Sequence, residues 1–420
     1  MVSLDPRSLV PKPESFTSRL RGPEVTARVG LWLGICFLVA FVTGLYSHFQ
    51  QDMPGWLTLP TRPVSLYRVT QGLHVIAGTA AVPLLLIKLW SVFPKLFDRF
   101  DLGNVRRLSL QLAERGSIFL LISAAIFQLS TGLLNTTHWY PWSFSFRPTH
   151  YAVAWVAIGS LLVHVAVKLP IIRDAITGPV DRPPPDDKSD NGSGDGSADA
   201  SGDDGRSAPM PTEASQPPRP VTAGLSRRGL LRATWLATGV VVLSTAGATV
   251  PLLRKISIFG VRDGDGPQGV PVNKSAAAAK VTKLAQDPGY RLELVSGTRS
   301  VMLSLDDLRQ LPQADSTLPI ACVEGWSATG NWRGVRMRDL LALVDAPGGL
   351  DVVATSLQPS GSFRVSLLPS QFVDDPLTLL ALGLNGEPLS IDHGFPCRVI
   401  APNRPGVLQT KWVGKIEVLS

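Results

Sequence analysis

The strongest constraint on the fold is the distribution of long apolar stretches. Five of them have the length of a membrane-spanning helix, which needs about 20 apolar residues; they lie near residues 29–48, 64–92, 116–135, 150–170 and 233–252. Four are close together, and the fifth follows a long polar segment. We therefore predict an all-α transmembrane four-helix bundle and a separate fifth transmembrane helix. Only 17% of the residues are charged, which is typical of a membrane protein.

The loops predict how these helices are oriented. Five Lys or Arg residues precede the first span and five more follow the second, whereas loops 49–63 and 136–149 have one Arg each. Because basic loops remain in the cytoplasm, the N-terminus is expected there, and five crossings place the C-terminal domain outside the cell membrane. The net charge of +7 comes from basic residues beside apolar segments. It therefore indicates membrane lipid as a partner and no nucleic acid.

The polar segment and the sequence after it predict a linker and an export signal. Residues 176–225 are acidic and rich in Gly, Ser and Pro, so they are expected to form a disordered cytoplasmic linker. The following "SRRGLLRATWLATGVVVLSTAG", from Ser226, resembles a twin-arginine signal inside the chain. The alternative is a pair of ordinary positive-inside arginines. A twin-arginine route exports folded protein, so its machinery is a predicted partner for a domain that receives a cofactor in the cytoplasm.

The remaining C-terminal residues have the pattern of a soluble domain. Alternating segments such as "YRLELVSG", "FRVSLL" and "CRVIAP" predict strands, and "LDDLRQL" and "RMRDLLALV" predict short helices. An α+β, β-rich domain is expected. The chain is therefore predicted to be multidomain, with a tail at 1–28, the bundle at 29–175, the linker at 176–225, the signal and fifth helix at 226–255, and the outer domain at 256–420.

The bundle region contains five of the six histidines: His48, His74, His138, His150 and His164. Ionisable residues at membrane depth are costly, so a functional role is the default expectation. Neutral imidazole is a common axial ligand of haem iron. His150 and His164 are 14 residues apart in the sequence, which returns them to within about 40° on a helix and separates them by about 21 Å. One helix could therefore hold two stacked haems.

Several ligand pairings remain open. Pairing by depth predicts one haem on His74 and His164, and less firmly a second, outer haem on His48 and His150. A rival pairing joins His74 to His150. A further alternative leaves His48, His138 and His150 as interfacial side chains without a ligand. The region resembles the four-helix membrane cytochromes b that serve bacterial formate dehydrogenases and hydrogenases, which implies one or two haems b.

The same resemblance has one departure. The family has two histidines fourteen apart on the last helix, matched by His150 and His164, and one on the second, matched by His74. Its first-helix histidine usually lies near the cytoplasmic end. Here that end has Arg28, and His48 is at the opposite end. The resemblance therefore leaves the second haem and the pairing unsettled.

Only three cysteines occur, Cys36, Cys322 and Cys397, without a C-x-x-C or C-x-x-C-H pattern. A disulfide framework, a C-x-x-C zinc site and a c-type haem are thus excluded. The segment "CVEGWSATGNWRGVRMRDLL" at 322–341 resembles the molybdenum-binding segment of the sulfite oxidase family, which includes the catalytic subunit of the periplasmic methionine sulfoxide reductase. There a single cysteine, ahead of a W-x-G-V-x-[LM]-x-D-[LV]-L run, binds molybdenum. The resemblance makes Cys322 that catalytic ligand.

The C-terminal "NGEPLSIDHGFPCRVIAPNRPGVLQTKWVGKIEV" resembles the closing segment of the same family, whose basic residues bind the pterin phosphate or an anionic substrate. Family members usually have an aromatic-rich segment early in the domain, which is replaced here by the shorter "GPQGVPVNKSAAAAK". The residues that the resemblance assigns to cofactor binding are Trp332, His393, Arg398, Arg404 and Lys411. In the shorter segment, Asn273 and Lys274 are the candidates for contact with the pterin.

These features predict a molybdopterin-dependent oxidoreductase. A thiolate is a suitable soft ligand for molybdenum, and the pterin supplies the other sulfurs. An oxygen atom would pass to or from a small-molecule oxo acceptor or donor, and haem b would exchange electrons with quinone or a redox carrier. Two other readings of Cys322 are a disulfide with Cys397 and a nucleophile beside His393. The alternative function is a non-catalytic electron-transfer or sensory cytochrome b with a cofactor-binding outer domain.

Overall fold

The structure is a computed structural model that describes residues 18–94, 103–137, 139–180, 226–260 and 266–419. His138 and most of the predicted linker lie outside the described residues, as does most of the N-terminal tail. The described part contains five long helices and a β-rich C-terminal domain.

The long helices are α1 Pro23–Gln51, α2 Leu66–Val92, α3 Val105–Thr136, α4 Phe146–Thr177 and α5 Arg227–Thr245. The first four are long and apolar enough to cross a membrane, which confirms the predicted four-helix membrane unit. They extend beyond the apolar stretches because polar residues at helix ends can lie among lipid headgroups.

Helix α5 differs from the other four. It has 19 residues, with three arginines in its first two turns, and it is not among the helices that qualify as spans in the described chain. It nevertheless runs beside α1. Arg227 at its start lies 3.4 Å from the carboxylate of Glu24 at the start of α1, and Thr249 beyond its end packs on Gly72 near the start of α2. Because α1 and α2 are antiparallel neighbours, α5 and the turn after it reach from one end of the bundle to the other. A fifth span stays a prediction.

The C-terminal domain contains two five-stranded sheets. Its strands are β1 Arg291–Ser296, β2 Arg299–Ser304, β3 Ala314–Ala321, β4 Ser327–Arg336, β5 Val352–Ser356, β6 Val365–Leu368, β7 Leu379–Leu384, β8 Glu387–Pro388, β9 Arg398–Ile400 and β10 Val413–Val418. The first sheet has the order β2-β1-β10-β5-β6, and the second has the order β3-β4-β7-β8 with β9 paired to β7. The short helices are α6 Thr282–Ala285, α7 Leu305–Gln310, α8 Met337–Leu341 and α9 Ser370–Val373. The predicted α+β, β-rich fold is confirmed.

The second sheet positions the candidate site. Strands β3 and β4 pair along their full length, from Ala314 opposite Gly334 to Ala321 opposite Ser327. The inward side chains of this pair, including Leu318 and Trp332, form a buried cluster that also contains Cys322. The connection between the two strands therefore starts at Cys322 and is fixed by a well-packed core at both ends.

The C-terminal domain is bound to one end of the bundle, where α1 ends and α2 begins. Asn403, which is 1% exposed, accepts a hydrogen bond from the main-chain nitrogen of Tyr67 at 2.7 Å and donates to the carbonyl of Pro60 at 2.6 Å. Arg62 donates twice to the carboxylate of Asp375, at 2.8 and 3.0 Å. This end of the bundle is the one that the loop charges assign to the outside.

Candidate functional site

Two histidines from different helices meet inside the bundle. The ring centres of His74 on α2 and His150 on α4 are 6.5 Å apart, with their planes at 68°. Nδ1 of His74 lies 2.8 Å from the carbonyl of Ala40, and Nδ1 of His150 lies 3.1 Å from the hydroxyl of Thr131. Hydrogen bonds of this kind orient histidine ligands of metals. Among the described residues, none forms a hydrogen bond to Nε2 of either ring, so both Nε2 atoms can bind a metal.

The space around these rings suits a prosthetic group. Both line a cavity of about 1260 Å³, whose wall also includes Gly44, Gly78 and Gly132. A Cβ at Gly44 would lie 2.9 Å from Cε1 of His74, so a larger residue would displace the ring. Neutral imidazole nitrogens of this kind are the donors that haem iron takes in proteins. His74 and His150 are therefore the residues that would hold a haem in this cavity.

The other described histidines occupy different positions. His48 stacks on Tyr151 with ring centres 3.8 Å apart and lines the same cavity. His164 lies 14 residues beyond His150 on α4, about 21 Å along the helix. Pairing by depth joined His74 to His164, and His48 to His150; in the structure His74 lies beside His150 instead. The reason is that His74 is the ninth residue of α2 and His150 the fifth of α4, so both lie near the starts of their helices.

Cys322 is the first residue after β3 and is fully buried. Its main-chain nitrogen donates to the carbonyl of Trp326 at 3.0 Å, and its carbonyl accepts from the nitrogen of Gly325 at 3.1 Å. Gly325 has φ of +88°, a left-handed conformation that glycine adopts without steric cost. The indole nitrogen of Trp326 donates to Glu324 at 3.0 Å. These bonds hold the Cys322 loop, residues 322–326, as a tight turn.

Cys397 belongs to a different environment. Its sulfur lies 3.1 Å from the hydroxyl of Tyr290 in the core cluster that contains the buried side chains of the first sheet, whereas Cys322 belongs to a different cluster. No disulfide joins the two cysteines. Burial raises the pKa of Cys397 to about 12. Cys397 is therefore a protonated core thiol, and the predicted alternative of a Cys322–Cys397 disulfide is wrong in this structure.

The ring of His393 is held by a hydrogen bond to the main chain and is not positioned as a general base. Its Nε2 donates to the carbonyl of Pro267 at 2.7 Å. Burial, and then the charge of Arg398, lower the pKa of His393 to about 4, so the ring is neutral at pH 7. Because Nε2 carries the proton of this bond, that nitrogen is not a general base for Cys322.

Two cations lie deep in the domain near His393. Arg398 is 2% exposed and donates to the carbonyls of His393 and Gln409 at 3.1 and 3.2 Å. Its guanidinium lies 5.1 Å above the ring of Trp332, and its Nε has no hydrogen-bond partner among the described residues. Burial lowers the pKa of Arg398 to about 9. Burial, and then the charge of Arg398, lower the pKa of Lys411 to about 7.

Lys411 also connects the two predicted pterin contacts. Its ammonium donates to Oδ1 of Asn273 at 3.1 Å, to the carbonyl of Lys274 at 2.5 Å and to the carbonyl of Asp392 at 2.9 Å. Asn273, Lys274 and Asp392 line the same cavity as the two histidines. The structure therefore brings Lys411 together with Asn273 and Lys274, two residues of the cavity wall.

Arg404 is placed differently from the other predicted cations. It donates to the carbonyls of Leu408 and Leu367, and its guanidinium lies 5.3 Å above the ring of Phe372. Burial lowers the pKa of Arg404 to about 9. Arg404 thus connects the closing segment to β6 and does not join the Lys411 group.

Comparison with known proteins identifies the C-terminal domain. Residues 278–420 match the family model described as the oxidoreductase molybdopterin binding domain. This part of the chain is a molybdopterin-binding oxidoreductase domain. Mitochondrial sulfite oxidase of Mus musculus is 32% identical over 159 residues, which cover 31% of this chain and 29% of that protein. The predicted membership of the sulfite oxidase type is confirmed.

Two further matches have a similar extent. Protein YedZ1 of Azospira oryzae, named as a putative protein-methionine-sulfoxide reductase subunit, is 34% identical over 131 residues, covering 31% of this chain and 48% of that protein. The solved sulfane dehydrogenase SoxCD of Paracoccus pantotrophus is 23% identical, with a TM-score of 0.28, and the match covers 31% of this chain and 38% of that one. The chain thus spans less than half the length of these relatives.

The molybdopterin-binding domain has a donor set that fits the pterin's anionic phosphate. No ion pair within the described ranges joins Arg398, Arg404 or Lys411 to a carboxylate, although buried cations normally require a negative partner. The Nε of Arg398, which has no hydrogen-bond partner among the described residues, supports the same conclusion.

The residues that the sequence did not identify are polar side chains inside the helices, such as Gln71, Gln128 and Asn135. Their polarity within apolar spans was the available signal.

Proposed function

We propose that this protein is a membrane-anchored molybdopterin oxidoreductase of the sulfite oxidase type, in which oxygen-atom transfer outside the cell membrane is coupled to electron transfer through haem b. One observation carries the proposal. The cavity between His74 and His150 is continuous with the outer domain, where it is lined by Val323 and Glu324. These two residues directly follow Cys322, so the cavity beside the two histidines reaches the loop that carries the candidate molybdenum ligand.

At the outer domain, the chain supplies a ligand and a cradle. Molybdopterin, when bound, supplies oxygen-atom transfer with a two-electron change at molybdenum, and haem b supplies one-electron transfer. Cys322 would be the protein thiolate on molybdenum. Arg398 and Lys411 would neutralise the anionic part of the pterin, with Asn273 and Lys274 beside them. The small-molecule oxo donor or acceptor would reach the site from the outside.

In the bundle, His74 and His150 would bind the haem iron through Nε2. The carbonyl of Ala40 contacts Nδ1 of His74, and the hydroxyl of Thr131 contacts Nδ1 of His150. These contacts fix the orientation of both rings before the haem is inserted. We propose one haem in this cavity.

The placement in the cell follows from the two ends of the bundle. The basic loops favour a cytoplasmic N-terminus, and the outer domain contacts the opposite end, through Asn403 and Arg62. The Arg227–Glu24 pair at the cytoplasmic end supports α5 as a retained fifth span. We propose twin-arginine export of the folded domain, and electron exchange of the haem with quinone or a redox carrier.

Metal and haem analysis of the purified full-length protein tests the proposal. Near-stoichiometric molybdenum and the absorbance of a b-type haem are expected, followed by turnover in a screen of sulfite and of S- and N-oxides. Properly exported protein that contains haem but no molybdenum would contradict the enzyme and leave an electron-transfer cytochrome. Protein with molybdenum but no haem would contradict the coupling.

A further inference from the structure

The membrane bundle binds the loop that carries Cys322. The carbonyl of Val323, the next residue, lies 3.3 Å from Nε2 of Gln71 and 3.4 Å from Nδ2 of Asn135. Both amides are donors, and both belong to membrane helices. One main-chain oxygen beside the candidate molybdenum ligand is therefore held by α2 and α3 at once.

These two helices also hold the candidate haem ligands. On α2, Gln71 lies three residues before His74, which places the two side chains on one face of the helix. On α3, Asn135 lies four residues after Thr131, whose hydroxyl contacts Nδ1 of His150. Each amide that holds the Cys322 loop is thus one helical turn from a residue that binds or orients a histidine of the pair.

Burial and packing make this contact specific. Gln71 is 6% exposed and Asn135 is 9% exposed. The second polar atom of Asn135, Oδ1, accepts from the hydroxyl of Tyr140 at 2.9 Å, which fixes the amide with its nitrogen toward Val323. The loop also touches α2 directly, since a Cβ at Gly325 would lie 3.1 Å from Val75, the residue after His74.

We propose that Gln71 and Asn135 are positioning residues that hold the Cys322 loop against the His74–His150 pair and so set the rate of electron transfer between the two sites. This inference rests on the proposed function. In the step concerned, one electron passes between the molybdenum site and the haem iron. One centre is oxidised as the other is reduced, and no bond forms or breaks. The two amides contribute geometry, because electron transfer weakens steeply as the separation of donor and acceptor grows.

The test uses full-length protein loaded with both groups and two variants at one position. Gln71→Glu keeps the shape of the side chain but replaces the donor with a carboxylate, and Gln71→Leu removes both polar atoms. Flash photoreduction, which needs no substrate, measures the one-electron equilibration between molybdenum and haem. Magnetic relaxation of the Mo(V) signal by the haem iron reports their separation independently of turnover.

Both variants are expected to slow electron equilibration between molybdenum and haem by about tenfold. A misplacement of about 1 Å can slow other reactions between positioned groups by about 100-fold, so this effect lies within that range. Burial raises the pKa of a carboxyl group, so acidification of Gln71→Glu restores a neutral donor and the rate should recover. Gln71→Leu should stay slow at every pH. Asn135→Asp provides a second case with the same expected recovery.

The matched control is Arg68→Leu, which removes an exposed hydrogen bond between α2 and Thr329 of the outer domain at 3.0 Å and should leave the rate unchanged. An unaltered rate in Gln71→Leu with full molybdenum and haem content would overturn the positioning role alone. Equal slowing in Arg68→Leu would also overturn it, since general docking would then explain the effect. Wild-type protein that lacks either group contradicts the proposed function itself, so the two failures are distinguishable.

Discussion

The bundle and the C-terminal domain differ in the charge of the polar groups that they bury. In the bundle, His74 and His150 present neutral nitrogens whose other ring atoms are held by a carbonyl and a hydroxyl. In the outer domain, Arg398 and Lys411 are buried cations held by carbonyl oxygens. A neutral nitrogen suits a positive metal ion, whereas a desolvated cation requires an anion. We therefore propose that the first region binds iron and that the second binds the pterin phosphate.

The substitution with the largest expected effect should inactivate the C-terminal domain and leave the bundle unchanged. Cys322→Ser should abolish oxygen-atom transfer and remove molybdenum, because hydroxyl is a poor ligand for it. The haem spectrum should persist, since the histidines lie in another part of the chain. Metal analysis and absorbance of one preparation check both halves of this expectation. Loss of the haem spectrum as well would mean that the two regions do not load independently.

The next largest effect distinguishes the ligand pairings. His74→Ala and His150→Ala should each remove haem b, because one remaining imidazole leaves the iron without its second protein ligand. His164→Ala is the matched control on the same helix as His150 and should retain the haem. Haem content by absorbance decides the matter. Loss of haem in the His164 variant, with retention in the His150 variant, would restore the pairing of His74 with His164.

A pH effect of intermediate size tests the buried cations. The pKa of Lys411 is lowered from 10.5 to about 7, so between about pH 7 and 9 the unfolded chain binds the proton and the folded chain releases it. The stability of cofactor-free protein should therefore rise with pH across this window, by at most about 1.4 kcal/mol per pH unit. Lys411→Met should flatten the slope.

Thermal unfolding of the cofactor-free full-length chain across this pH window measures the slope. The pKa of His393, about 4, lies below this window, whereas the pKa values of Arg398 and Arg404, about 9, lie at its upper edge. The contribution of Lys411 is therefore measured in the lower part of the window. A slope that is unchanged in Lys411→Met would show that Lys411 is not the desolvated cation.

The smallest effect concerns the end of the bundle where α1 and α5 start. Glu24→Gln should lower the free energy of unfolding by about 1 kcal/mol, which is less than the cost of breaking a fully buried ion pair. The cost is smaller because the Arg227 side chain is 16% exposed and keeps its hydrogen bond to the carbonyl of Val180. Detergent unfolding of the variant measures this change. Glu114→Gln, in the exposed pair with Lys168, is the matched control and should have no measurable effect. An unaltered stability in both variants would remove the support for α5 as a retained helix.

Much of the site could be predicted because its parts are local in sequence. Each of three features lies in a short stretch of sequence whose chemistry can be recognised. They are the Cys322 segment, the basic closing segment and the histidines of the spans. The cofactor-binding role of Arg404 stays a prediction, and the position of its guanidinium over Phe372 could not be read from a charge in that segment. Gln71 and Asn135 were missed, since their partner is a main-chain carbonyl more than 180 residues away.

The sequence by itself determined the kinds of unit in this protein: four membrane helices, and a β-rich molybdopterin-binding domain. Those features depend on periodicity and local motifs, which hydrophobic burial and backbone geometry translate directly into structure. Only the tertiary structure decided which histidines meet and where the Cys322 loop docks. Helical spacing fixes the residues that share a face of one helix, but the packing of side chains between helices decides which faces oppose each other.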